Sequence, residues 1–193
     1  MRKNLQVIAS IGEKVETPRN EYLKVVIRIS YVQLRAGGRF AIRILPGTHN
    51  ASIPEEKLVD AFWRLPTTGE FDKCPDGAFK MEYLTLDDDG RNYCNRFRIE
   101  NGTRVFTLPP KRGYITIAFG FTALIRADNP TLWFTTPWPC EQVEYNLLSH
   151  PSNPIPAMVT LPEGQVSKRD GGSTTRVSLR KRVPKGFSVR FSW

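Results

Sequence analysis

Two-residue alternation of apolar and polar side chains is the feature that most constrains what this chain can fold into. Leu23, Val25, Ile27, Ile29 and Tyr31 fall on one side of a run, and Lys24, Val26, Arg28 and Ser30 on the other. Successive strand side chains point to opposite faces, so this is a half-buried strand. The same period governs Tyr114 to Ile125, where Ile115, Ile117, Phe119, Phe121, Ala123 and Ile125 share a face. A strand that long and regular is expected inside its sheet. Gly37-Gly38 supplies a turn after the first run, and Arg39 to Ile44 returns with Phe40, Ile42 and Ile44 inward, which predicts a hairpin.

Further strands are expected at Phe79–Leu86, at Cys94–Ile99 and Arg104–Leu108 on either side of the hairpin signal Asn101-Gly102, at Leu132–Thr135, at Val143–Leu147 and at Ala157–Leu161. A last hairpin is expected from Arg176–Val183, a Pro184-Lys-Gly turn, and Phe187, Val189, Phe191 and Trp193 alternating with Ser188, Arg190 and Ser192. That alternation points the aromatic residues at the core. One short α-helix is expected near 54–65: Pro54 suits a first turn, Glu55 and Glu56 complement the positive helix end, Leu58, Ala61, Phe62 and Leu65 recur at helical spacing, and Pro66 stops it. Many short strands with turn signals roughly every ten residues predict an all-β fold, an antiparallel β-sandwich or partly open barrel. Residues 1–193 read as a single β-rich domain with a flexible, exposed loop at about 163–175.

A chain of 193 residues, 40% hydrophobic, has enough material for a core without a disulfide or metal. The apolar run at Tyr114–Ile125 is well short of the ~18 residues of a membrane-spanning helix, so no transmembrane segment is expected. The N-terminal residues lack the continuous apolar stretch of a signal peptide. Cys74, Cys94 and Cys140 are odd in number, scattered, and without a C-x-x-C pair, which argues against a disulfide framework and a zinc site. The expected location is the cytoplasm, or a virion for a viral protein. Asp87-Asp88-Asp89-Gly90 offers carboxylates but lacks the ligand spacing of a calcium loop and reads as a solvated turn. No metal and no cofactor is expected. His49 and His150, both among turn residues, are the only histidines, so an enzyme is a minor alternative whose site would be assembled around one of them.

Charge carries the functional signal. The net charge is +9, and it is uneven: residues 1–50 carry 9 basic and 3 acidic side chains, 51–166 carry 11 and 15, and 167–193 carry 8 and 1. Side-by-side terminal strands would merge both cationic ends into one face that concentrates anions. Candidate binding residues are Arg176, Arg180, Lys181, Arg182, Lys185 and Arg190 in the final hairpin, because arginine forks hold phosphate bidentately. Arg180 and Arg182 would share one strand face and Lys181 take the other. Arg28, Arg35, Arg39 and Arg43 form a second set.

Leu108-Pro-Pro before a long strand, Phe134-Thr-Thr-Pro-Trp-Pro139, and the ending Val183-Pro-Lys-Gly-Phe-Ser-Val-Arg-Phe-Ser-Trp193 resemble a pattern of β-sandwich domains in uncharacterised bacterial proteins, over about residues 80–193. That resemblance implies a fold and no site residues, since its positions are turns and core. Length, basicity and the terminal hairpin are similar to small rhabdovirus matrix proteins, without their Pro- and Tyr-rich recruiting motif. The primary expectation is a non-catalytic binding or sensory module presenting a basic face to an anionic partner, whether nucleotide, nucleic acid or acidic protein surface. A structural assembly protein such as a viral matrix or coat subunit, with self-association, is the alternative.

Overall fold

A computed structural model describes residues 2–16, 21–37, 40–47, 61–66, 79–87, 89–100, 103–108, 110, 112–128, 130–136, 138–149, 158–160, 173–180, 182–184 and 186–193. Thirteen strands carry these residues: β1 (Arg2–Glu16), β2 (Glu21–Ala36), β3 (Phe40–Gly47), β4 (Ala61–Pro66), β5 (Phe79–Leu86), β6 (Arg98–Glu100), β7 (Thr103–Leu108), β8 (Arg112–Arg126), β9 (Thr131–Thr135), β10 (Val143–Leu148), β11 (Met158–Thr160), β12 (Thr174–Leu179) and β13 (Ser188–Ser192). They form a six-stranded sheet in the order β12-β10-β1-β2-β8-β5, a three-stranded sheet β11-β13-β9 and a four-stranded sheet β4-β3-β7-β6. Pairing is antiparallel except at β1–β10 and β3–β4, which are parallel. The fold is all-β, and the six-stranded sheet is an open one.

Register explains the core. Val177, Tyr145, Val7, Ile29, Phe119 and Leu84 lie opposite one another in sequence across all six strands, and each is at most 1% exposed. One residue further along, the row is Ser178, Glu144, Gln6, Ser30, Ala118 and Thr85, on the opposite face. A slip of a single residue would exchange the two rows, so the apolar row holds the register. The inner face joins Ile42, Phe106 and Leu108 of the four-stranded sheet and Leu132, Phe134, Val189 and Phe191 of the three-stranded one in a single buried cluster. Phe134 stacks on Tyr145 with centroids 5.9 Å apart, and the buried Tyr145 hydroxyl is satisfied by Thr136 Oγ1 at 2.8 Å.

The long strand β8 is interior, between β2 and β5, as its regularity requires. Strands β6 and β7 pair antiparallel, with Glu100 opposite Thr103, as expected of the arms of the Asn101-Gly102 hairpin; Asn101 and Gly102 themselves lie outside the described residues. Phe187 and Phe191 are buried, as their alternation indicates.

Five expectations are corrected. The arm expected at Cys94–Ile99 is a strand only from Arg98 onward, because Cys94–Arg96 form a 3-10 turn in which Asn92 Oδ1 accepts from Cys94 N at 2.9 Å. Strand β3 does not return along β2. One edge of β2 is occupied by β1 and the other by a fifteen-pair ladder to β8. With no free edge left, β3 pairs with β7 and β4 in a second sheet. The final hairpin also does not form: β12 joins β10 in the large sheet, whereas β13 lies between β9 and β11. Between them Val183 bridges Cys140, and Gly186, at φ +81°, turns the chain toward the other sheet. The helix expected near 54–65 is replaced over Ala61–Pro66 by β4, whose backbone pairs in parallel with β3 from Ile42↔Ala61 to Gly47↔Pro66. An available strand partner outweighs a weak local helical preference; residues 54–60 lie outside the described residues. The loop expected at about 163–175 ends earlier than that, because Thr174 and Thr175 already pair with Leu148 and Leu147, and residues 163–172 lie outside the described residues. Strand β1 was not anticipated at all, although Leu5, Val7, Ala9 and Ile11 alternate cleanly.

Gly120 is the most closely covered of the described glycines. A Cβ there would lie 2.4 Å from Tyr83 Cε1, so the Tyr83 ring rests directly on the glycine. Gly120→Ala is expected to destabilise by about 1–3 kcal/mol through overpacking. In the Tyr83→Ala background the same change costs far less. Urea unfolding of the two single variants and the double variant measures this coupling.

Candidate functional site

The polar outer face of the six-stranded sheet carries a cleft of about 600 Å³. It crosses the strands from β12 to β8 and is lined by the side chains of Asn4 and Gln6 on β1, Ser30 and Val32 on β2, Thr116 on β8, Glu144 on β10, and Arg176, Ser178 and Arg180 at β12, with Gln142 leading into β10. The alternation that buries Val177 and Leu5 places these polar neighbours outside. A register shift in the β1–β2 ladder falls between Lys3 and Gln6, and Asn4 there has φ +53°. Asparagine tolerates this left-handed conformation, and the irregularity turns β1 locally beside the cleft.

Within the cleft, Glu144 gathers three donors. Asn146 Nδ2 donates to its Oε1 at 2.8 Å, Gln6 Nε2 to the same oxygen at 3.3 Å, and Arg176 Nη2 to Oε2 at 2.7 Å. These hydrogen bonds, from Asn146 first and Arg176 second, hold the Glu144 carboxyl below its ordinary range. Glu144 is therefore a fixed acceptor that orients Arg176 and is a poor base. Arg180 differs: it is exposed on the cleft rim, and no carboxylate among the described residues pairs with it.

Of the six arginines and lysines expected to form the site, the structure brings Arg176 and Arg180 together on the cleft. Their spacing of four along one strand edge puts both on the outer face, with Ser178 between them. Arg182 lies past the end of β12 and is exposed, and Arg190 sits on β13 in the three-stranded sheet opposite Trp133. The expected single basic hairpin is thus divided, because its two arms belong to different sheets. Lys181 and Lys185 lie outside the described residues, as do His49, His150, Cys74, Arg39 and Asp88. The two cationic ends do not merge by direct pairing: β10, which carries Glu144, lies between β1 and β12. In the second arginine set, Arg28 is exposed on the outer face while Arg35 is only 5% exposed and faces inward.

Arg2, one of the basic residues of the cationic N-terminal end, is a packing element. Its guanidinium lies 3.5 Å from the centroid of the Trp138 ring, which also meets Tyr31 at 5.3 Å, and Arg2 contacts Gln33. Desolvation lowers its pKa to about 10. Burial likewise pushes the neighbouring Cys140 thiol up to about 11, which keeps it protonated and unreactive near neutral pH. In the acidic turn, Asp87 Oδ1 accepts from Thr116 N at 2.8 Å, and Asp89 accepts from Arg91 N and from the Tyr93 hydroxyl at 2.6 Å. Both aspartates thus serve the turn itself. No group of three or more histidine, cysteine, aspartate or glutamate side chains positioned for a metal occurs among the described residues.

The cleft residues missed in the sequence are Asn4, Gln6, Ser30, Thr116, Gln142 and Glu144. Their only sequence signal is their place as polar partners in alternating strands, and which strands adjoin is a tertiary fact.

A pH test follows from Glu144. A carboxyl whose folded pKa is depressed contributes stability above its ordinary value of 4.5, and that contribution fades as pH falls through and below that value. Glu144→Gln is expected to lower stability at pH 7 by up to about 1 kcal/mol, a modest amount because Arg176 remains 47% exposed. The difference from wild type shrinks as pH approaches 3. Urea midpoints of both proteins from pH 3 to 7 measure it; a difference independent of pH would refute the assignment.

No protein-family profile matches the chain, and no curated protein matches it. Among solved structures, it is similar to a candidate protease from Parabacteroides distasonis at 10% identity and a TM-score of 0.46, covering 100% of this chain and 40% of that one. It is similar also to a candidate nutrient-binding protein from Legionella pneumophila at 10% identity and a TM-score of 0.38, covering 98% of this chain and 66% of that one. The chain thus spans less than two thirds of either protein, and likenesses this distant carry no functional argument.

Proposed function

We propose that this protein is a non-catalytic binding module that takes an anionic ligand on the outer face of its six-stranded sheet. The observation that carries the reading is Arg180, an exposed guanidinium with no described carboxylate partner, on the rim of a cleft of about 600 Å³. That volume lies in the range of small-molecule sites. The lining is rich in neutral hydrogen-bonding groups (Asn4, Gln6, Ser30, Thr116, Gln142 and Ser178), which can satisfy the oxygens of a desolvated anion. Arg176 adds a second guanidinium whose position is held by Glu144. Binding is favoured over catalysis because Glu144, the carboxylate lining the cleft, is engaged by three donors and is weakly basic. The overall charge of +9 assists anion capture at low salt.

Isothermal titration with tripolyphosphate tests the reading. Arg180→Ala is expected to weaken binding roughly tenfold or more, the usual scale for losing a hydrogen bond to a charged group. Arg190→Ala, on a different sheet, leaves affinity unchanged apart from its small effect on net charge. Affinity falls between 50 and 300 mM NaCl. Equal binding by wild type and Arg180→Ala would remove this cleft as the anion site.

A further inference from the structure

Resting on that reading, the geometry points to a more specific ligand: we infer that the cleft takes a ring-bearing polyphosphate, a nucleotide of about nucleoside-triphosphate length. Its terminal phosphates meet Arg180, and its ring lies on Tyr114 beside Leu34.

Tyr114 and Leu34 are the large hydrophobic side chains exposed among the described residues, at 51% and 40%. They are direct cross-strand partners in the β2–β8 ladder, so they form one patch and are not two scattered residues. The patch continues the cleft. Thr116 and Val32, which line it, are the same-face neighbours of Tyr114 and Leu34 two residues along their strands. An apolar, aromatic shelf thus adjoins one end of a polar cleft whose other end carries two guanidiniums.

The span is also appropriate. From β12 to β8 there are four inter-strand steps, each about 4.8 Å, or roughly 19 Å between backbones. Along the strands Arg180, which follows Leu179 opposite Val143, lies about two residues from the Tyr114 row, whereas Arg176 lies about six, so an extended nucleoside triphosphate with its ring on Tyr114 reaches Arg180, which inorganic phosphate cannot do while touching the ring. Lys3 Nζ lies 5.4 Å from the Tyr114 ring centroid and 3.7 Å from Glu141. Such exposed contacts are weak, so a ligand ring can displace the ammonium, which then adds positive charge beside the phosphates. Stacking on an aromatic side chain is tolerant of base identity, so no preference among bases is implied.

The experiment compares adenosine triphosphate with tripolyphosphate by titration into wild type, Tyr114→Ala, Tyr114→Phe and Arg180→Ala, with circular dichroism as a folding control. Wild type is expected to bind adenosine triphosphate about tenfold more tightly than tripolyphosphate. Tyr114→Ala removes that advantage while leaving tripolyphosphate affinity unchanged, and Tyr114→Phe retains it. Arg180→Ala weakens both. Equal affinity of wild type for the two probes, or a Tyr114→Ala variant with an undiminished preference, overturns the ring subsite while the anion cleft stands. Binding of neither probe overturns both readings. An octathymidylate that binds more than tenfold better than adenosine triphosphate, through the same residues, replaces the nucleotide with single-stranded nucleic acid.

Discussion

The ladder between β2 and β8 is the constraint on which the rest of the structure depends. Its fifteen consecutive pairs join two long strands whose inner positions are nearly all apolar. Once formed, it fixes the register of β1 on one side and β5 on the other, and through β1 that of β10 and β12. Each added strand contributes one buried residue to the row that includes Ile29 and Phe119, so burial of the apolar surface and satisfaction of the backbone hydrogen bonds enforce the same alignment. Because both edges of β2 are then consumed, β3 must leave the sheet. The second sheet and the interior between the sheets follow from that exclusion.

The outer face is the complement of the same register. Fixing Val177, Tyr145, Val7 and Ile29 inward brings Ser178, Glu144, Gln6 and Ser30 into one outward row, although they come from positions as distant as 6 and 178. The cleft is built on that row and the one beside it. Its polarity therefore costs the core nothing. Within it, Glu144 neutralises part of the local positive charge and orders Arg176. This division, with one arginine held and one exposed, is the feature on which the proposed binding site rests. By contrast Arg35, which adds to the same net charge, is buried, and Arg2 is half-buried against Trp138.

How much of this was legible in the sequence depends on the range of the interaction involved. The interior strand at Tyr114–Ile125, the inward face of Phe187 and Phe191, and the antiparallel pairing of Glu100 with Thr103 are set by local alternation and turn chemistry, and all three are found in the structure. The two failed hairpins share another cause. Gly37-Gly38 and Pro184-Lys-Gly are plausible turns, but a turn specifies only that the chain bends, and the partner of the outgoing strand is chosen by which sheet edge remains open. The segment at 61–66 shows the same rule acting on an ambiguous pattern, because a β3 edge was available to pair with it. Of the candidate site, Arg176 and Arg180 could be named from charge density, while the amide and hydroxyl residues around them carried no signal until the strands were adjacent.

The sequence by itself therefore determined the strand-rich class, which side chains of β2, β8 and β13 are buried, and the excess of cations toward the two ends. These are properties of a period of two and of residue chemistry, and they need no knowledge of neighbours. Tertiary structure alone decided that β12 and β13 separate, that Arg176 and Arg180 share a cleft while Arg190 does not, and that Leu34 and Tyr114 meet at its end. The physical reason is that backbone hydrogen-bonding edges are identical along every strand. Which edges pair is settled only when all of the apolar faces are buried together.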